Sequence, residues 1–183
     1  MKKFYFDLDG VVVDFETQFL SFLNEKLNIP VKVENPSEYN LDKRYNQNNS
    51  DVSFWFRKYL ENYQEGDLLP GVNYVIDNLK TKGYSIGFIT SSPDSILEIR
   101  RTVMEQRLGI SNIIHSKTKY DIVNSLKIDY FVDDNDQIVK DIKKKCKDCK
   151  VFFKDNGYLI NKDFKHNPTI KNIIEVLDHL EDN

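Results

Sequence analysis

FYFDLDGVVVDF, residues Phe4 to Phe15, is an apolar run that closes on two carboxylates, Asp7 and Asp9, with Gly10 directly behind them. A strand buried in an α/β sheet must end somewhere polar, so the acids could simply mark a turn. The spacing says more. With Leu8 between them, Asp7 and Asp9 fall on the same side of an extended chain. Two carboxylates held close together repel, and at least one takes a raised pKa unless a positive group sits between them. The pair therefore asks for a cationic partner elsewhere in the chain.

Working outward, further strand-like runs lie at Tyr84–Ile89, Asn112–His115, Tyr130–Val132 and Val151–Phe153, the first strand being Lys3–Leu8. Helical periodicity fills most of the intervals: Val75, Ile76 and Leu79; Ile96, Ile99 and Val103; Ile122, Val123 and Leu126; Ile138 and Ile142; then Ile170, Ile173, Ile174 and Leu177. Strands alternating with helices predict parallel pairing through right-handed crossovers, hence a doubly wound, Rossmann-like α/β sheet. The interval between the first two strands is longer than the roughly 30 residues of a simple crossover unit. Within it, Phe15–Leu27 and Val52–Tyr63 read as helices separated by the polar stretch YNLDKRYNQNNS. The expected organisation is a core of residues 1–14 and 70–183 with a small helical cap, 15–69, inserted directly after the acidic pair and placed to act as a lid.

Composition narrows the chemistry. At 183 residues the chain fits one ordinary domain, or one domain carrying a small insert. Its 26 Lys plus Arg against 29 Asp plus Glu, a net charge of −3, offer no broad footprint for nucleic acid or anionic membrane, so no stable nucleic-acid partner is expected. The basic run Lys143-Lys144-Lys145, with Lys147 and Lys150, reads as a solvated helix end. No apolar stretch reaches the roughly 18 residues needed to span a bilayer, and Met1-Lys2-Lys3 leads straight into a strand. A soluble cytoplasmic protein without a membrane partner is expected, and a homodimer is compatible with the sequence. Cys146 and Cys149 have a spacing shared by zinc and redox sites, but neither a second pair nor a nearby histidine completes a tetrahedral set. The chemistry falls to carboxylates, hydroxyls and lysines.

In an open parallel sheet, ligands gather beyond the carboxyl ends of the strands. Strand one ends in Asp7-x-Asp9-Gly10, and the second, SIGFIT, in Thr90-Ser91-Ser92; SKTKYDIV offers Lys117 and Lys119 at a helix start; DYFV runs into Asp133-Asp134-Asn135-Asp136. Taken singly, such groups commonly end strands or cap helices. Together and in this order, the chain resembles the haloacid dehalogenase-like phosphohydrolases, whose motifs run D-x-D-G-[TV], a strand-ending Thr or Ser, a Lys, and an acidic pair after a late strand. DLDGVVVDFE, FWFRKYLENYQEGDLLPGV, FITSSP and FVDD bring it nearest to the 5′(3′)-deoxyribonucleotidase branch.

The resemblance implies a Mg²⁺-dependent phosphatase. Asp7 would be the nucleophile that forms an aspartyl-phosphate and a metal ligand. Asp9 would be the acid/base, with its backbone carbonyl on the metal, and Gly10 would let the backbone approach closely. Asp134 would be the distal metal carboxylate and Asp133 an orienting group behind it; the role of Asp136 stays open, with helix capping one reading. Thr90 would hydrogen-bond the transferred phosphoryl group, or Ser91 if the motif aligns one residue later. Lys119 is preferred to Lys117, although both could touch phosphate. Phe15, with Phe54 and Trp55, would form a stacking slot for a nucleobase, against the alternative that these aromatics are the insert's own core. The substrate would be a small phosphomonoester, first of all a nucleoside monophosphate; a sugar phosphate or nucleic-acid end is the alternative. A receiver-type module phosphorylated on Asp has similar groups, but its chain order and its lack of an insert after strand one argue against it.

Overall fold

The computed structural model describes residues 1–27, 31–61, 67–161 and 163–180. The apolar runs form strands β1 (Lys3–Phe6), β2 (Ser85–Thr90), β3 (Ile113–His115), β4 (Tyr130–Asp133) and β5 (Lys150–Lys154), followed by a short β6 (Thr169–Ile170). All six pair in parallel, in the order β3-β2-β1-β4-β5-β6. This is the doubly wound arrangement the sequence predicts. Its strand order reverses between β1 and β4, and ligands gather at such a switch point.

Side-chain alternation separates the two faces of the sheet. Phe4, Phe6, Phe88, Tyr130, Val132 and Phe152 join one buried cluster with helices α4 (Val72–Thr81) and α5 (Leu97–Leu108). Tyr5, Ile89, Phe131, Val151 and Phe153 join another on the opposite face, with α6 (Lys119–Leu126) and α7 (Asp136–Lys145). Both faces are covered, which is why the strands read as continuous apolar runs. Cys146 and Cys149 are buried in the second cluster, and burial pushes the Cys149 thiol up to about 12, a packing environment that suppresses thiolate chemistry. The Lys143–Lys145 run is the exposed last turn of α7, where cations complement the helix dipole.

Three local readings differ. Strand β1 stops at Phe6, because the carbonyl of Leu8 turns back to accept from the N–H groups of Val11, Val12 and Val13. Ile170 lies in β6; the turn that follows is a 3₁₀ helix, Ile173–His179, which begins only where Asn172 and Glu175 form a reciprocal cap. On α5, Ile99 is 42 % exposed and Arg100 takes the buried position at 2 %, so the helix is rotated from the phase its apolar residues suggest.

Between β1 and β2 lie α1 (Phe15–Leu27), α2 (Leu41–Arg44) and α3 (Asn49–Glu61). The expected end of the last of these at Tyr63 falls outside the described residues. Phe19, Leu23, Tyr45, Val52, Tyr59 and Leu60 form a third apolar cluster, joined by Ile96 from the turn before α5. The chain leaves and re-enters the sheet along paired stems: Val13 bridges Leu68, Asp14 N–H donates to Asp67 O at 2.8 Å, and Leu69 N–H to Val12 O at 2.8 Å.

Candidate active site

The carboxyl ends of β1 and β4 are adjacent, held in register by Asp7 N–H donating to Val132 O at 2.8 Å. Asp7, Asp133 and Asp134 are all buried, each with a carboxylate oxygen within 4.8 Å of the others. Lys119, 3 % exposed at the start of α6, reaches between them with Nζ 2.8 Å from Asp7 Oδ1 and 2.8 Å from Asp133 Oδ2. Lys117 is exposed. The preference for Lys119 thus has a geometric reason: its ammonium ends at the carboxylates.

Asp7 and Asp9 do not share one cationic side chain. Each acid has its own. Asp7 is matched to Lys119, and Asp9 to Arg100, whose Nη2 lies 2.8 Å from Asp9 Oδ1. Ser92 Oγ donates to Asp9 Oδ2 at 3.1 Å, and Thr90 Oγ1 donates to Ser92 Oγ at 2.9 Å. Thr90 is therefore buried behind Ser92, at 1 % exposure, while Ser91 lines the cavity. Arg100 escapes the sequence reading because the residue types around it place Ile99, not Arg100, on the inner face.

Asn156, two residues beyond β5, also lies at a strand end, as Asp134 does beyond β4. Asn156 Nδ2 donates to Asp134 Oδ2 at 2.9 Å and lies 2.9 Å from Gly10 O. Tyr158 O–H donates to the same Asp134 oxygen at 2.5 Å. Gly10 has φ +74°, and a Cβ there would sit 2.1 Å from Asp134 Oδ2, so only glycine fits the turn against this carboxylate. Asp136 does not cap α7. Asn135 does so, accepting from Gln137 and Ile138 N–H, while the Asp136 carboxylate accepts from Ile160 N–H at 2.9 Å and Asn161 N–H at 2.8 Å and anchors the loop that carries Tyr158.

These groups open onto a cavity of about 410 Å³, whose wall includes Asp7, Asp9, Asp134, Phe15, Arg44 and Phe56. Phe15 also stacks on Phe19 with ring centres 5.6 Å apart and meets Phe56 edge-on at 5.9 Å, so it is both lining and insert core. Phe54, 45 % exposed, and Trp55, packed on Phe22 and Phe54, are not among the lining residues. The expected slot of three aromatics is not assembled; Phe56, one residue further along α3, presents its ring instead.

Electrostatics mark the site for a cation. Burial, with the charges of Asp133 and Asp9, pushes the Asp7 carboxyl up to about 7 against the pull of Lys119. Burial and the charge of Asp7 push Asp134 up to about 6, and burial raises Asp133 as well. Burial works against the Lys119 charge, but Asp133 and Asp7 outweigh it and hold the ammonium protonated well above its ordinary range. Clustered oxygen donors without imidazole or thiolate suit a hard ion such as Mg²⁺, and Asp7 and Asp134 are the residues that fit it.

A pH dependence follows. Raised carboxyls bind their proton more tightly in the folded state, so their contribution is fully present below the ordinary value of about 4 and is lost as pH rises through about 6 and 7. Added Mg²⁺ should therefore raise Tm more at pH 8 than at pH 5, where the ion must displace protons. Equal shifts at both pH values, or none, would contradict this reading of the cluster.

No family model matches the chain. Over 137 residues, 73 % of this chain and 69 % of the relative, it is 26 % identical to a Halalkalibacterium halodurans protein provisionally named a nucleotidase. Among solved structures it is similar to a Haemophilus somnus protein provisionally named a phosphoglycolate phosphatase, with TM-score 0.62, 17 % identity, and coverage of 98 % of this chain and 97 % of that one. A hydrolase from Pseudomonas syringae gives TM-score 0.60 at 14 % identity over 98 % and 97 % of the two chains. A haloacid dehalogenase-superfamily hydrolase from Ehrlichia chaffeensis gives 0.57 at 14 % over 98 % and 97 %. At these identities the likeness is one of fold, and it is the fold that the motifs implied. No helix among the described residues is long and apolar enough to cross a membrane.

Proposed function

We propose that this chain, which carries the haloacid dehalogenase-like fold, is a divalent-cation-dependent phosphatase of small phosphomonoesters that works through an aspartyl-phosphate on Asp7, with nucleoside monophosphates as its main substrates. The observation that supports it most is Asp7 itself, buried at the switch point of the sheet, ion-paired to Lys119 at 2.8 Å, clustered with Asp134, and facing a cavity large enough for a small ester.

Asp7 Oδ1 is engaged by Leu8 N–H and Lys119, both at 2.8 Å, so Oδ2 is the oxygen assigned to attack phosphorus. As the new O–P bond forms and the ester O–P bond breaks, Asp9 gives a proton to the departing alcohol oxygen. Water then attacks the phosphoryl group, passes its proton to Asp9, and frees the Asp7 carboxylate. Ser91, at the cavity wall, is the hydroxyl assigned to a phosphoryl oxygen, and Thr90 acts through Ser92 on the orientation of Asp9. A bound Mg²⁺ would supply the positive charge that lets a phosphate dianion approach these carboxylates.

Residues 15–69 act as a cap over a core of 1–14 and 70–183. Their separate apolar cluster and the paired stems at Val13 and Leu68 support this division. Tyr39 and Arg44 tie the cap to the core: Asn135 donates to Tyr39 Oη at 2.8 Å, and the Arg44 guanidinium lies 3.9 Å over the Tyr158 ring. The nucleoside preference is supported by the Phe15 and Phe56 rings in the wall and by the named relative.

Two experiments test the reading. Phosphate release from p-nitrophenyl phosphate and from deoxy- and ribonucleoside monophosphates should require Mg²⁺; no turnover of any ester would contradict a phosphatase, and turnover of sugar phosphates alone would contradict the nucleoside preference. Asp133 has Lys119 on one oxygen and Asn135 N–H on the other, so it is poorly placed to ligate. Asp134→Ala should accordingly raise the Mg²⁺ concentration for half-maximal rate more than Asp133→Ala does. The reverse ranking would move the ligand to Asp133.

A further inference from the structure

The cations in and against the cavity are matched to the protein's own acids. Lys119 lies 2.8 Å from Asp7 and Asp133, and Arg100 2.8 Å from Asp9. The buried Lys154 faces the charges of Asp134 and Asp14 and donates to Asn156. Arg44 is the one cationic side chain among the described residues that line the cavity, and it is 4 % exposed. Its Nε stands 3.1 Å from Glu16 Oε1, its Nη2 donates to Pro36 O at 2.9 Å, and its plane lies over Tyr158. These contacts turn the guanidinium toward Glu16, Pro36 and Tyr158, and the one to Glu16 is a charge contact without the alignment of a hydrogen bond. The same wall carries Asp14 and Glu16, both lining the cavity.

Asp7 and Asp134 would hold a divalent ion at the sheet end, where its charge would be taken up by these acids and the phosphate dianion, away from a second anion at the cap end. An uncharged alcohol meets apolar rings and carboxylate acceptors there. A carboxylate or second phosphate meets like charge in a partly desolvated wall.

We propose that the wall formed by Asp14, Glu16 and the engaged Arg44 is a charge filter. It admits phosphomonoesters whose alcohol part is uncharged or cationic and carries hydroxyl or N–H donors, and it rejects those whose alcohol part bears its own carboxylate or phosphate. The filter rests on the phosphatase reading above and narrows it: nucleosides meet the condition, and glycolate does not. Glu16 is the residue that sets it, because Glu16 both supplies a negative charge and holds Arg44 away from the ligand.

The test compares kcat/KM for phosphoglycolate with that for 2-hydroxyethyl phosphate, its uncharged counterpart of similar size, with p-nitrophenyl phosphate as the reference. The parent chain should prefer the uncharged ester by about tenfold or more, and Glu16→Gln should reduce that ratio by about tenfold, since it removes one charge and releases another of opposite sign. Glu16→Asp, which keeps the charge, should preserve most of it. A ratio taken within one variant is insensitive to a general loss of folded protein, and the parent measurement needs no variant. Equal turnover of the two esters by the parent, or an unchanged ratio in Glu16→Gln, would overturn the filter. Failure of the parent to hydrolyse p-nitrophenyl phosphate would overturn the phosphatase reading instead.

Discussion

Asp7→Asn is expected to bring phosphomonoester turnover below about one per cent of the parent while making the cation-free protein more stable at pH 8. The two effects share one cause. The Asp7 charge is unfavourable where it stands, as its carboxyl pushed up to about 7 by burial shows, and the amide keeps the shape while removing the charge. Above pH 7 the parent carries that cost in full; well below the ordinary carboxyl value of about 4 the group is protonated in folded and unfolded chains alike, and the gain should vanish. Activity assays and melts at pH 5 and pH 8 decide the matter. Lost activity with lowered Tm would make Asp7 a structural acid, and retained activity would remove it from the chemistry.

Lys119→Met should act in the opposite sense on stability. The ammonium is buried between Asp7 and Asp133, and removing one partner of a buried ion pair costs on the order of 3 to 5 kcal/mol. On the proposed mechanism, losing this preorganised positive group beside Asp7 should also lower kcat by roughly 10²–10³-fold. The stability loss should be smaller at pH 5 than at pH 8, because the raised carboxyls take up protons as pH falls and need the lysine less. An equal loss at both pH values would mean that the side chain serves mainly by packing.

Much of this site is legible in the sequence. FYF, SIGFIT, YFVD and VFF are short apolar runs whose burial on both faces leaves a continuous hydrophobic signal, and the polar residues that end β1 and β4 meet because those strands are neighbours. What escaped depends on rotation and reach. Ile99 and Arg100 exchange their expected exposures through the helical phase of α5, which an arginine with a long apolar stem tolerates on an inner face. Thr90 and Ser91 differ by one residue at a strand end, and alternation alone sends one inward and the other to the cavity. Phe54, Trp55 and Phe56 are consecutive on α3, so which ring faces the cavity depends on how the helix docks. Arg44 ends the one-turn helix α2 and Tyr158 lies in the loop after β5, and no local pattern announces their meeting. Asn156 was legible as part of the polar segment that follows β5.

The proposed covalent phosphoryl–Asp7 intermediate is tested most directly by rapid acid quenching across the first turnover of a nucleoside monophosphate with Mg²⁺, followed by mass analysis of the peptides. One phosphoryl group is expected on the peptide bearing Asp7, absent without the cation and absent in Asp7→Asn. Full turnover with that peptide unmodified at every quench time, or a phosphoryl group on another residue, would contradict it.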